Sequence, residues 1–281
     1  MNMAEKLKEY ARLTQEGLET YLPEQAGALE TIFQAARYSA LAGGKRLRPA
    51  LLMGFYALHG ENAEKALPFA CALEMVHTYS LIHDDLPCMD NDDYRRGKPS
   101  SHKKFGENIA VLTGDALLNL AYELVFDAIE LSPYREGAIK AGRTFATLTG
   151  AKGLIAGQIA DLSFTREKRD FNDLEYVFRH KTCDLIVAAV KCGALAAGAD
   201  EKSAAALEDY AYNFGFAFQL ADDLLDGAED EGCSSLKLYD ENRVRKMLAD
   251  YTSRAVSALD KIDCDTGFLR YLAQISEKRL K

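Results

Sequence analysis

Two short runs of carboxylates carry the most chemistry in this chain. The first, His83-Asp84-Asp85-Leu86-Pro87-Cys88-Met89-Asp90-Asn91-Asp92-Asp93, follows directly on an apolar helical pattern. Carboxylates stacked without counter-charge repel one another, and a helix C-terminus, where the macrodipole is negative, makes their position worse. Either the run is a solvated surface turn, or a divalent cation resolves the conflict. Mg²⁺ suits such a place, because it takes hard oxygen ligands from one or two carboxylates together with substrate phosphates. The second run is Gln219-Leu220-Ala221-Asp222-Asp223-Leu224-Leu225-Asp226, in which Asp222 and Asp226 share a helix face. Phe214, Phe216, Phe218 and Leu220 predict that this helix is largely buried, so its terminal acids lie near the interior. One such run is common on surface helices. Two, each ending a long apolar helix, could face each other across a bundle and hold metal ions between them.

Cations stand where a diphosphate would need them. Gly43-Gly44-Lys45-Arg46-Leu47-Arg48-Pro49 sets three of them after a Gly-Gly turn at the start of a helix. The guanidinium fork and the free N–H groups there both favour phosphate. Arg95-Arg96-Gly97-Lys98 follows the first acidic run, and His180-Lys181-Thr182 interrupts an otherwise apolar helix. That interruption is costly unless the lysine faces a polar cavity. Each group taken singly could be surface decoration, and His77, on an apolar helix, could be a satisfied core histidine.

The elements that must position these groups read as helices throughout. Apolar residues at helical spacing mark 3–21, 29–42, 49–58, 69–84, 109–129, 134–149, 174–197, 203–225 and 244–259, and nothing reads as a period-two strand. All six prolines lie at or before Pro133, leaving no obligate helix breaker after it. No linker or internal repeat divides the chain, so the expected fold is all-α, a single domain over residues 1–281 built as a helical bundle around a common interior. The apolar fraction of 48% excludes disorder as the main state, and the net charge of −9 argues against a nucleic-acid partner. Six scattered cysteines without zinc spacing read as reduced thiols. The N-terminus has no signal-peptide pattern, and the apolar stretch 185–199 is too short to span a bilayer. The expectation is a cytoplasmic protein with no transmembrane segment.

Together these motifs closely resemble the trans-isoprenyl diphosphate synthase family, and its bacterial farnesyl-type members in particular. The resemblance runs through Gly-Gly-Lys-Arg-Leu-Arg-Pro (43–49), Leu-Ile-His-Asp-Asp-Leu-Pro-x-Met-Asp (81–90), Arg-Arg-Gly (95–97), Thr-Gly-Asp-Ala-Leu-Leu (113–118), Gly-Gln (157–158), His-Lys-Thr (180–182) and Gln-Leu-Ala-Asp-Asp-Leu-Leu-Asp (219–226). It implies that Asp84, Asp85 and Asp90 ligate two Mg²⁺ ions on an allylic diphosphate, and that Asp222, with Asp226 through water, holds a third. Arg95, Lys181 and Gln219 would contact that diphosphate, with Thr182 beside them. Gly44, Lys45, Arg48, His77 and Arg96 would hold isopentenyl diphosphate. Lys181, Asp84 and Asp222 would then carry the catalysis: ionisation of the allylic diphosphate, attack by the C=C of isopentenyl diphosphate, and loss of a proton to the released pyrophosphate.

The resemblance also implies a homodimer and a product length. Tyr79 lies five residues before Asp84, roughly 7.5 Å along the helix, where a bulky ring would floor the cavity with Ser80 beside it. An aromatic there goes with a C15 product in the family, although Tyr79 could also be core packing only. The chain departs from the family after Asp226: the segment to Ser235 is shorter than the family pattern, and Cys233 stands where a diphosphate-clamping lysine is expected, with Lys237 nearby and given no role. The competing expectations are a geranylgeranyl diphosphate synthase, a terpene cyclase, and a non-catalytic subunit that captures isoprenyl diphosphates. A cyclase has no need of the cations at 45, 48 and 96, and the complete acidic runs favour activity.

Overall fold

A computed structural model describes residues 2–59, 62–164, 170–227 and 233–275. Two helices apolar on every side form its centre, as all-round hydrophobicity requires. They are α4 (Leu67–Asp84), whose residues from Phe69 to Val76 are all buried, and α10 (Asp184–Ala196), buried throughout except at Lys191. Around them pack α1 (Met3–Tyr21), α2 (Glu30–Ala40), α3 (Leu47–Ala57), α6 (Glu107–Leu131), α7 (Arg135–Thr149) and α12 (Glu208–Asp226). The remaining helices are α5 (Ser101–Phe105), α8 (Leu154–Phe164), α9 (Phe171–Val177), α11 (Glu201–Ala206), α13 (Glu241–Ala258) and α14 (Gly267–Ala273). The architecture is all-α, as expected.

Several details differ from the sequence pattern, each for a physical reason. The helix α8 was not expected, because it is short, carries Gly157 in its first turn and has a polar face of little more than Gln158 and Asp161. The stretch 174–197 is not one regular helix: Phe178–Cys183 forms a π-turn between α9 and α10. A two-stranded ribbon, β1 (Tyr94–Arg95) and β2 (Lys98–Pro99), corrects the expectation of no strand; two residues per strand are too few to show alternation. Arg96 and Gly97 make its turn with φ of +54° and +74°, the left-handed pair that a tight hairpin demands. By length and composition α6 is apolar enough to cross a membrane; it buries Ala110, Leu117, Ala121, Leu124 and Val125 and leaves Val111, Leu112 and Phe126 exposed.

The cation run at the start of α3 also divides. Arg46 takes a left-handed conformation (φ +48°) that turns its side chain inward. There it donates to Glu74 Oε1 at 2.5 Å, Gln15 Oε1 at 2.9 Å and the Ala40 carbonyl at 2.6 Å. Both members of the Arg46–Glu74 pair are nearly inaccessible, so Arg46 ties α1, α2 and α4 together and is no phosphate ligand.

Candidate active site

The first acidic run is folded back on itself by its own backbone. The helix α4 ends at Asp84, and the Asp90 N–H then donates to the Asp84 carbonyl at 2.9 Å, bringing the two residues side by side. Asp90 is exposed at the rim, yet enough protein surrounds it to push its carboxyl up to about 6, with the charge of Asp84 adding to the effect. Asp84 is largely buried and held by two donors: the Gln158 side-chain amide and the Lys181 ammonium, whose Nζ lies 3.3 Å from Oδ2. Lys181 is closer still to Asp161, at 2.5 Å. Burial pulls the Lys181 ammonium down, but Asp84 and Asp161 outweigh it and hold it above its ordinary range. Asp85 is not part of this group: its buried carboxylate accepts from Arg95, which also reaches Asp92 at 2.8 Å.

A glycine lets these parts meet. A Cβ on Gly157 would come within 2.1 Å of the Lys181 backbone nitrogen, so α8 can lie against the π-turn only because Gly157 lacks one. That contact sets Gln158, Lys181 and Thr182 on one cavity, with Asp161 behind Lys181, and π-turns recur at functional sites. Thr182 donates to Gln219 Oε1 at 2.9 Å, joining the π-turn to α12. On α12, Asp223 turns away into the core, where it accepts from Ser235 N at 2.7 Å and Oγ at 2.6 Å. Asp222 is part-buried, and its charge acts on Arg48, which lines the cavity. Asp226 is exposed at the end of α12. The shortened segment after it falls on residues 228–232, outside the described residues; Cys233 is described and buried.

The second cationic group lies beside the first. Arg48 Nη1 is 3.4 Å from His77 Nε2; a guanidinium offers no acceptor, so Nε2 accepts and the proton of the neutral imidazole sits on Nδ1. Burial and then the charges of Arg48, Arg96, Arg46 and Arg95 hold the His77 pKa well below its usual value. Arg96, carried over by the hairpin, donates to the Gly43 carbonyl and lies against Gly44. Lys45 is exposed on the same turn. Arg48 also leaves its Nε buried without a partner, an unusual cost for a cation outside a binding site.

Below the mouth a cavity of about 400 Å³ runs along α4. Arg48, His77, Ser80, His83, Asp84, Asp115, Gln158, Lys181 and Thr182 give it polar lining, and Tyr79, Leu118, Leu154, Ile155 and Leu185 the apolar part. Tyr79 is buried, packed edge-on against His83 at 5.7 Å, with its hydroxyl pushed up to about 12 by burial and by neighbouring Tyr122. A Cβ on Gly114 would strike the His83 ring at 2.1 Å, so the glycine of α6 gives that ring its place in the wall. Asp161 was missed from sequence because it sits on α8, which the pattern did not reveal.

Hard carboxylate donors gathered around an ammonium are the donor set that suits Mg²⁺. Among the described residues no three Asp, Glu, His or Cys side chains are close enough to enclose a metal ion; Asp84 is bonded to Lys181 and Gln158, and Asp85 to Arg95. Of the sequence-predicted acids, Asp84 lines the cavity and Asp90 is held beside it at the rim.

A family model described as polyprenyl synthetase matches residues 29–234. A farnesyl diphosphate synthase of Geobacillus stearothermophilus is 41% identical over 95% of this chain and 99% of its own length. Geranylgeranyl pyrophosphate synthase 7 of Arabidopsis thaliana is 48% identical over 69% of this chain and 56% of its own. Among solved structures, an FPP/GFPP synthase from Zymomonas mobilis superposes with a TM-score of 0.91 at 32% identity, covering 98% of both chains. A geranyltransferase from Legionella pneumophila gives 0.89 at 31% identity, covering 99% of this chain and 98% of that one.

Proposed function

The chain belongs to the polyprenyl synthetase family, and from that premise we propose that it condenses isopentenyl diphosphate head-to-tail with dimethylallyl or geranyl diphosphate and stops at farnesyl diphosphate. One observation carries the reading: a single cavity is lined by Asp84 and Lys181 and by the buried Tyr79. Asp84, Asp90 and Asp222 would hold Mg²⁺, three ions in all with Asp85 and Asp226 assisting, and the metal would supply charge neutralisation for the departing diphosphate. Lys181 adds a fixed cation at the same place, with Thr182, Gln219 and Arg95 around it. Gly44, Lys45, Arg48, Arg96 and neutral His77 bind the diphosphate of isopentenyl diphosphate, whose double bond then faces the allylic carbon. The apolar wall excludes water, which would otherwise quench the allylic cation. The proton leaves to the pyrophosphate that Lys181 retains.

Tyr79 supports C15 over the geranylgeranyl product that the Arabidopsis relative's name raises, because a buried ring bounds the space for the tail. The chain acts in the cytoplasm as a homodimer; Val111, Leu112 and Phe126 on α6 and Ile155 and Ile159 on α8 leave the apolar surface that a second copy would cover. Incubating the protein with Mg²⁺, isopentenyl diphosphate and geranyl diphosphate tests the reading. C15 diphosphate supports it, C20 favours the second product length, hydrocarbon release points to a cyclase, and binding without turnover leaves a capture subunit.

A further inference from the structure

The Lys181 ammonium sits on a flexible four-carbon stem, so its position is set by its partners rather than by its own side chain. Of those partners Asp161 is the nearer: 2.5 Å from Nζ to Asp161 Oδ2, against 3.3 Å to Asp84 Oδ2. Asp161 is held in turn by its helix. It lies three residues after Gln158, on the same face of α8, and Gln158 is itself bonded to Asp84. Its second oxygen, Oδ1, accepts from the Cys233 backbone N–H at 3.2 Å. Two residues further on, Ser235 donates twice to Asp223, next to Asp222. One largely buried carboxylate therefore touches both the lysine at the first acidic run and the backbone that is fastened to the second.

We propose that Asp161 is a positioning residue: it anchors Lys181 over the cavity mouth and fixes the backbone at Cys233, so that the diphosphate meets a cation already in place. The inference rests on the reading of Lys181 as a diphosphate contact. Asp84 is shared between Lys181 and whatever cation the acidic run takes up, whereas Asp161 has Lys181 as its ionic partner and keeps it when Asp84 is engaged elsewhere. Without Asp161 the ammonium would follow Asp84 and move off the approach of the diphosphate.

The test is a double-mutant cycle with Asp161→Ala, Lys181→Gln and the pair, read by calorimetric binding of inorganic pyrophosphate in the presence of Mg²⁺ and by kcat and KM for geranyl and isopentenyl diphosphates. Losing a charge-assisted contact predicts that Asp161→Ala weakens pyrophosphate binding about tenfold or more. The KM for isopentenyl diphosphate should stay at the wild-type value, and in the Lys181→Gln background Asp161→Ala should add nothing. Asp161→Asn, which keeps an acceptor for Cys233 N–H, should fall between wild type and alanine, and it carries the cycle alone if the alanine variant does not fold. Full losses in both backgrounds, or wild-type pyrophosphate binding by Asp161→Ala beside a weakened Lys181→Gln, overturn the inference while leaving Lys181 its role. Wild-type binding by Lys181→Gln itself overturns that role and the inference with it.

Discussion

Replacing Gly157 by alanine is the sharpest test of how the site is assembled. The added Cβ would lie 2.1 Å from Lys181 N, 2.5 Å from His180 C and 2.6 Å from Lys181 Cα. All three are backbone atoms, so no rotamer change relieves the clash. Ordinary contact begins near 3.4 Å, and the π-turn must therefore retreat from α8 by about 1.3 Å. Overpacking of this kind costs about 1–3 kcal/mol, offset by up to about 1 kcal/mol from the better helix propensity of alanine. The net loss of stability is thus small, and the protein should fold. Catalysis should suffer far more, because Lys181 and Thr182 ride on the displaced backbone and a misplacement near 1 Å can cost about a hundredfold. The assay pairs steady-state transfer from geranyl diphosphate with thermal denaturation. A variant that melts within a few degrees of wild type and loses about two orders of magnitude in kcat supports the argument. Turnover within about threefold of wild type would refute it, since the close approach of α8 and the π-turn would then not be what places Lys181.

Other perturbations probe other parts of the cavity. Tyr79→Ala should lengthen the product by opening the wall toward Tyr122, whose hydroxyl is fixed at 3.1 Å from Thr149 Oγ1; unchanged C15 output in product chromatography would sink the floor assignment. Glu74→Leu strands the Arg46 guanidinium in the core and should cost about 3–5 kcal/mol by chemical denaturation, and a loss below about 1 kcal/mol would show that Gln15 and the Ala40 carbonyl suffice. Asp90 is raised from 3.8 to about 6, so its contribution to stability is complete below pH 3.8 and lost as pH rises through about 6. In chelator the melting temperature should carry a component that declines across that window, and Asp90→Asn should remove it; a pH profile identical in wild type and Asp90→Asn contradicts the burial of Asp90 beside Asp84.

What the sequence could reveal followed from periodicity and from charge placed against expectation. The long amphipathic and apolar helices were legible because their pattern repeats over several turns, and the two acidic runs stood out because acids at helix C-termini oppose the macrodipole. Residues whose role depends on a neighbour distant in the chain were not legible. Arg46 looked like one of three phosphate cations, and a single left-handed φ turns it into the core against Glu74 instead. Asp85 looked like a partner of Asp84, but a two-residue hairpin too short to show in any pattern brings Arg95 onto it.

Helix α8 contributes most to the site and shows least in the sequence. Its residues Ile155, Ala156, Ile159 and Ala160 surround Gly157, and its polar face is little more than Gln158 and Asp161, too short to mark a helix. Gly157 would count against a helix on propensity alone, by about 1 kcal/mol. In the fold that cost has a return that only the packed structure displays: the missing Cβ admits the π-turn, and with it Lys181 comes within reach of both Asp84 and Asp161. The local conflict between propensity and structure thus falls at the functional site, where a sequence that is consistent elsewhere is expected to break its own rules. An Asp161 that no motif distinguishes and a glycine that argues against its own helix are two halves of one arrangement. Neither can be assigned without the other, because each acts through the same displaceable turn.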